Sequence, residues 1–251
     1  MLPTLLIGSV ALPTYPLLLL VALWAGMWLA ARQAVSLGLD GDHVYNAGLY
    51  SLIAGIVGAR LWFVLSHWEN YAPNPAQALS LSRSALSASE GALIAGLVVL
   101  IYLQRQRVNL GTFFDAAAPG LALAVIIGNI GALLGGQNLG LPAALPWAVE
   151  IAGTARHPVQ LYEAAAGLAV LIVLLTSFAR RPWPGFHFWL FVSLYSLTRL
   201  LLEIFRAQAP LLGSGFLAVQ VGALAAIVVA LAVMAYNFTG YPQKDSSHEK
   251  V

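Results

Sequence analysis

The chain has 251 residues, of which 60% are hydrophobic and only 9% charged, and its mean hydropathy is +0.81. A soluble chain carries roughly a quarter charged residues, so this one lacks the polar surface to solvate a globule and reads as membrane-embedded. A net charge of +2 without Lys/Arg runs interleaved with aromatics excludes nucleic acid as a partner, and the absence of cysteine excludes disulfides, a thiolate nucleophile and Cys-ligated metal.

Seven apolar runs follow one another along the chain, at about 15–31, 44–65, 88–103, 113–134, 160–178, 185–205 and 216–236. Crossing a bilayer takes a helix of roughly 20 residues. The expected fold class is therefore an all-α integral membrane protein with about seven transmembrane helices. They form one transmembrane domain over 1–239, followed by a short polar tail over 240–251. The amino terminus lacks a basic segment and its first apolar run continues past signal length, so no cleavable signal peptide is expected. Ala54, Gly55, Gly58 and Ala59 give the second run a small-residue face suited to close helix packing.

Basic residues set the expected orientation. Arg32, Arg105, Arg107, Arg180, Arg181, Lys244 and Lys250 fall in loops of one side, and Arg83, Arg156 and Arg206 in loops of the other. The positive-inside rule puts the larger group in the cytoplasm, leaving the amino terminus outside and the carboxyl terminus inside. Two long connections, 66–88 and 135–159, then lie on the outer face, where long ordered loops usually cover or build a site.

Ionisable side chains within spans are costly and mark function by default. With this orientation Tyr15, Arg60, Glu90, Asn129, Gln160, Tyr162, Glu163, Tyr195, Arg199 and Glu203 all fall near outer helix ends; Asp115, at an inner end, is the main exception. Tyr195, Arg199 and Glu203 share one helix face at i, i+4 and i+8, and Arg206 continues it. Such a set suits either a structural clasp between helices or a binding site, and Arg206 alone suits a snorkelling interfacial side chain. Arg156-His157-Pro158 precedes Gln160-Leu161-Tyr162-Glu163, with proline where a helix start tolerates it. Arg156 and His157 there suit an interfacial anchor as well as a headgroup contact, and His67 and Trp68 read as interface residues. No metal site is expected, because His43, His67, His157, His187 and His248 lack ligand spacing.

These stretches resemble the prolipoprotein diacylglyceryl transferase family. Arg156-His157-Pro158-Val159-Gln160-Leu161-Tyr162-Glu163 is close to that family's R-H-P-S-Q-L-Y-E. Tyr195-x3-Arg199-x3-Glu203-Ile204-Phe205-Arg206 is similar to its Y-x3-R-x3-E-F-F-R, Gly58-Ala59-Arg60 to its G-G-R, and Tyr15 to the tyrosine opening its first helix. There are departures. Glu90-Gly91-Ala92-Leu93 stands where the family commonly has H-G-G-L. Ile126-Ile127-Gly128-Asn129 has Ile126 in an arginine's slot, and Gly135-Gly136-Gln137-Asn138-Leu139-Gly140 only loosely follows N-G-E-x-x-G.

The resemblance implies transfer of diacylglyceryl from phosphatidylglycerol to the lipobox cysteine of a prolipoprotein signal peptide, without a cofactor, in the bacterial plasma (inner) membrane and toward its outer leaflet. Arg199, Glu203, Glu90 and Tyr195 are then the expected catalytic residues, with Arg199 on the lipid phosphate, Glu203 orienting it and Glu90 as general base. Asn129, Arg60, Arg156, His157, Tyr15, Gly140 and Arg206 are the expected substrate-binding residues. The alternative is a non-catalytic relative that binds phospholipid or lipoprotein precursors. A transporter would call for internal repeats and paired broken helices near the midplane, which the sequence does not show.

Overall fold

The computed structural model describes residues 2–8, 10–79, 87–151, 153–208, 210–213 and 215–240; Arg83, Lys244, His248 and Lys250 and the tail beyond 240 lie outside them. Over these residues the architecture is all-α apart from two small hairpins. In chain order come strands β1 (Thr4–Ile7) and β2 (Val10–Pro13), helices α1 (Thr14–Ser36), α2 (Asp42–Ser66), α3 (Trp68–Tyr71), α4 (Ala88–Arg105) and α5 (Leu110–Leu134), strands β3 (Val149–Ile151) and β4 (Thr154–Arg156), and helices α6 (Val159–Ser177), α7 (Phe186–Leu202) and α8 (Ala218–Gly240). Single 3-10 turns occupy Pro75–Leu79 and Glu203–Phe205. The hairpins were not expected from the sequence. Each is antiparallel, pairing Thr4 with Pro13 and Val149 with Arg156 at its ends.

Six of the described helices are long and apolar enough to cross a membrane: α1, α2, α5, α6, α8, and α7 with its following turn. The third expected run forms α4, an 18-residue helix with Glu90 in its first turn and Arg105 in its last. Large apolar side chains such as Leu20, Trp24, Ile53, Leu93, Ile172 and Leu231 stand exposed all round the bundle. A water-soluble monomer does not present apolar surface on this scale. This is a multi-pass membrane fold.

The packing follows from small residues. α1 and α5 run antiparallel in the most extensive helix contact, crossing where Gly26 and Gly120 meet backbone to backbone. A Cβ on Gly26 would lie 2.8 Å from the Gly120 carbonyl oxygen. α2 and α4 pair antiparallel in the same way, with Gly91 against Gly55 and Ala59, and Tyr102 against Tyr50 and His43 at the far end. α6 packs on α5, and α8 on α7. Buried Ala30, Ala34, Val44, Ala47, Leu103, Phe113 and Ala116 join both pairs at one end, while Ala118, Ala122, Val170, Leu174 and Phe191 make the α5–α6–α7 core.

These alternating directions bring the starts of α1, α4 and α6 together with the ends of α2, α5 and α7. Tyr15, Arg60, Glu90, Gln160, Glu163, Arg199 and Glu203 therefore share one end of the molecule. Arg32, Arg105, Arg107, Arg180 and Arg181 stand at the other. Asp115, the exception in the sequence pattern, is fully buried at that other end. Its carboxylate accepts the backbone N–H groups of Gly185 and His187, each at 2.7 Å, and of Phe188 at 3.2 Å, and so caps α7.

Candidate active site

Two arginines and two glutamates form the centre of the polar end. Arg199, near the end of α7, donates from Nη1 to Glu163 Oε1 and from Nη2 to Glu203 Oε2, each at 2.6 Å. Arg206, just past the 3-10 turn, donates from Nη2 to the same Glu163 Oε1 at 2.7 Å, and its Nε lies 3.5 Å from Glu203 Oε2. Glu163 is 5% and Glu203 2% exposed, so both carboxylates are withdrawn from water and depend on the guanidinium forks for compensation. Their charges cancel, two against two.

The local backbone makes this possible. An i, i+4 spacing on a helix places Arg199 directly beneath Glu203. The helix then tightens into the turn Glu203–Phe205, which swings Arg206 inward instead of along the helix surface. From there the chain is clamped by the long connection. Leu141 N–H donates to the Phe205 carbonyl at 2.8 Å and Ala207 N–H to the Leu139 carbonyl at 2.9 Å. The same connection is held on its other side by β4 and the residue after it, through Ala143 N–H to Ala155 O and His157 N–H to Leu141 O. Gly140 sits at the tightest point, where any Cβ would collide with the His157 carbonyl. Arg156 Nη1 donates to the Gly140 carbonyl at 3.1 Å.

A cleft of about 500 Å³ opens beside the cluster, lined by Tyr15, Gly128, Asn129, Asn138, Glu163, Tyr195, Arg199 and Arg206 above an apolar floor of Leu121, Ala124 and Phe191. Asn129 donates to the Val125 carbonyl of its own helix at 3.0 Å. Tyr15 packs against Gly131 and Gly135 at the end of α5. Fully buried Gln160 donates from Nε2 to the carbonyls of Gln137, at 2.6 Å, and Asn138, at 3.1 Å. That pair of bonds holds Asn138, in a left-handed conformation (φ +56°), against the cleft.

Of the expected site residues, the structure brings Tyr15, Asn129, Tyr195, Arg199 and Arg206 to the cleft wall, with Glu203 behind the arginines and Gly140 and Arg156 in the loop that frames them. His157 lies beside Phe205 and Tyr162, its ring 4.9 Å from the Phe205 ring and its Nδ1 3.5 Å from the Tyr162 hydroxyl, which accepts from Trp147 Nε1 at 2.9 Å. Arg60 and Glu90 are not among the cleft's lining residues. Buried Arg60 donates to the Gln77 carbonyl at 2.9 Å and lies over the Tyr71 ring, tying α2 to the connection after it. Glu90 accepts from Ser89 Oγ at 2.7 Å at the start of α4, beside Gly91 in the wall of a second, apolar groove of about 390 Å³.

Sequence reasoning had set Glu163 and Gln160 in the polar layer without giving either a role. Their signals in the sequence are that layer and their place in the Arg156–Glu163 stretch. No group of three or more His, Asp or Glu side chains among the described residues is arranged to hold a metal ion.

An arginine pair in the wall of a cleft with an apolar floor is chemically suited to a phosphate ester. The family model described as prolipoprotein diacylglyceryl transferase matches residues 3–237. Among curated proteins, the phosphatidylglycerol–prolipoprotein diacylglyceryl transferase of Thermus thermophilus is 32% identical over 78% of this chain and 80% of its own. Proteins of the same description from Thermosynechococcus vestitus and Trichormus variabilis are 29% and 31% identical, covering 96% and 92% of this chain and 95% and 88% of their own.

Proposed function

The chain belongs to the prolipoprotein diacylglyceryl transferase family, and from that premise we propose that it transfers diacylglyceryl from phosphatidylglycerol to the lipobox cysteine of prolipoproteins. The observation that carries this reading is the Arg199–Arg206–Glu163–Glu203 cluster opening onto a cleft of about 500 Å³ with an apolar floor. In the reaction a base takes the proton of the substrate thiol, because the thiolate is the competent nucleophile. Sulfur then bonds to the glyceryl carbon that carries the phosphate, and the C–O bond breaks. Glycerol phosphate leaves with the electron pair.

Arg199 holds the lipid phosphate in this reading, oriented by Glu203 from behind and shared with Arg206 through Glu163. A guanidinium already aimed at the departing charge lowers the barrier because no reorganisation is needed at the moment of reaction. Tyr195 and Asn129 donate hydrogen bonds to glyceryl or phosphate oxygens, and Tyr15 bounds the cleft opposite them. In this reading Arg156, Arg60 and His157 help to hold the headgroup or the departing glycerol phosphate, and Gly140 lets the framing loop approach. Glu90 is the general base. The polar end faces the outer leaflet of the bacterial plasma membrane, with α4 as a seventh span, so that lipid enters sideways between helices.

One observation favours a second reading, a non-catalytic relative that binds phospholipid or lipoprotein precursors: Glu90, in the base's place, does not line the cleft. Expression in bacteria depleted of their own transferase separates the two. Restored lipidation of prolipoproteins supports transfer; unprocessed precursor, with this protein present in the membrane and phosphatidylglycerol bound to it, supports the binding relative.

A further inference from the structure

We propose that Asp115 is a positioning residue for the cleft, acting through α7 from the opposite end of the bundle. The inference rests on the transferase reading of that cleft.

α5 and α7 run in the same direction and together carry most of the cleft wall: Leu121, Ala124, Val125, Gly128 and Asn129 on one, Phe191, Tyr195 and Arg199 on the other. At their far ends the two helices are joined by Asp115. Both carboxylate oxygens are used, Oδ2 on Gly185 N–H and Oδ1 on the N–H groups of His187 and Phe188. Arg181 Nη1 stands 3.7 Å from Oδ2. Asp115 and Asn129 are fourteen residues apart on α5, and Gly185 and Arg199 are fourteen apart on the α7 side. At 1.5 Å per residue, each arm spans about 21 Å. One helix is thus set against the other at matched depth.

The turn that begins α7 is built around this joint. Gly185 adopts φ +106°, a conformation that L side chains rarely take, and this presents its N–H to Asp115. Gly111, one turn before Asp115, lies so close to the Pro184 carbonyl that a Cβ would come within 2.5 Å of it. Three backbone donors on one buried carboxylate fix the axial position and rotation of a helix start in a way that apolar contacts, which tolerate sliding, do not. An unfilled donor set at that depth is expensive, so the joint has one low-energy register. Any axial slip or rotation of α7 moves Tyr195, Arg199 and Glu203 together, away from Glu163 on α6. At the active end such displacements are felt strongly, because transfer needs reacting groups in near-attack geometry.

The test measures transfer kinetics for the wild type, Asp115→Ala, Asp115→Asn, Tyr195→Phe and the Asp115→Ala/Tyr195→Phe double variant, with the folded fraction of each followed by thermal unfolding. Asn keeps one oxygen for His187 and Phe188. Asp115→Ala is expected to lower the unfolding midpoint yet stay folded at the assay temperature while kcat/KM falls about tenfold, and Asp115→Asn to recover most of that loss. Because Asp115 acts through α7, the double variant should lose less than the product of the two single losses. Multiplicative losses, full activity in Asp115→Ala, or a loss matched by unfolded protein and unrelieved by Asn would overturn the proposal.

Failure of the wild type to transfer would instead reject the transferase reading. The positional claim then stands on a distance. The chain has no cysteine, so labels at I130C and L201C, both exposed positions, report α5 against α7. The distance should shift in Asp115→Ala and return in Asp115→Asn; an unchanged distance would overturn it.

Discussion

Arg199 on α7 and Glu163 on α6 meet at 2.6 Å, thirty-six residues apart in sequence. This contact converts a face of three polar side chains on one helix into a site shared by two. The same Glu163 oxygen accepts from Arg206, so a single carboxylate from α6 holds both guanidinium groups. Each arginine keeps some solvent contact, with side chains 18% and 14% exposed. A phosphate approaching through the cleft therefore finds two organised forks and displaces little.

Glu163→Gln removes one of two negative charges that compensate two arginines. Loss of one partner of a buried pair costs about 3–5 kcal/mol, and the partial exposure of both arginines puts this variant at the lower end. Thermal unfolding in detergent should show a lower midpoint, and phosphatidylglycerol transfer should fall with it. An unchanged midpoint would mean that Arg199 and Arg206 do not depend on Glu163.

Gly140→Ala forces a Cβ against the His157 carbonyl and loosens the clamp that brings Arg206 inward. Overpacking of this kind costs about 1–3 kcal/mol. Transfer should drop more than stability, since the displaced loop also carries Asn138 into the cleft wall. Activity retained beside a normal unfolding midpoint would contradict the close approach.

Gly120→Leu tests the bundle and not the site. The side chain would part α1 from α5 at their crossing, where Gly120 meets Gly26 and Ala30. We expect a destabilisation of about 1–3 kcal/mol, read as a lower unfolding midpoint. Gly96, which has open space around its Cβ position, is the control: Gly96→Ala should leave the midpoint unchanged or raised.

Much of this arrangement was legible in the sequence. The apolar runs announced helices that cross a membrane, because a bilayer demands long unbroken apolar segments and leaves few alternatives. Alternating helix direction then predicted that Tyr15, Glu163, Arg199 and Glu203 would gather at one end, and they do. Other features depend on contacts between distant segments and left no local trace. Asp115 broke the polar pattern because its partners are backbone N–H groups seventy residues away, and backbone donors carry no sequence signature. The inward turn of Arg206 depends on a 3-10 turn and on pairing with the 139–141 loop, which periodicity does not encode. The hairpins β1–β2 and β3–β4 are short apolar or mixed segments with no alternation strong enough to mark them. Arg60 shared a helix-end position with the site residues, yet its donors turn to Gln77 and Tyr71 in the connection that follows.

Glu90→Gln isolates the proton-transfer step. A positioned general base contributes typically 10²–10⁴-fold, so the variant should lose about that much transfer while still binding phosphatidylglycerol. Full transfer by Glu90→Gln would mean that another group takes the thiol proton.

The most direct test is transfer of labelled diacylglyceryl from phosphatidylglycerol to a lipobox peptide by purified protein, compared between the wild type and Arg199→Ala. The account predicts thiol-dependent transfer by the wild type and its loss by at least about a hundredfold in the variant, as expected when a charge-stabilising donor is removed. Equal transfer by both proteins would contradict the assignment of Arg199 to the lipid phosphate. No transfer by a folded wild type that retains phosphatidylglycerol would contradict catalysis itself and leave a lipid-binding relative.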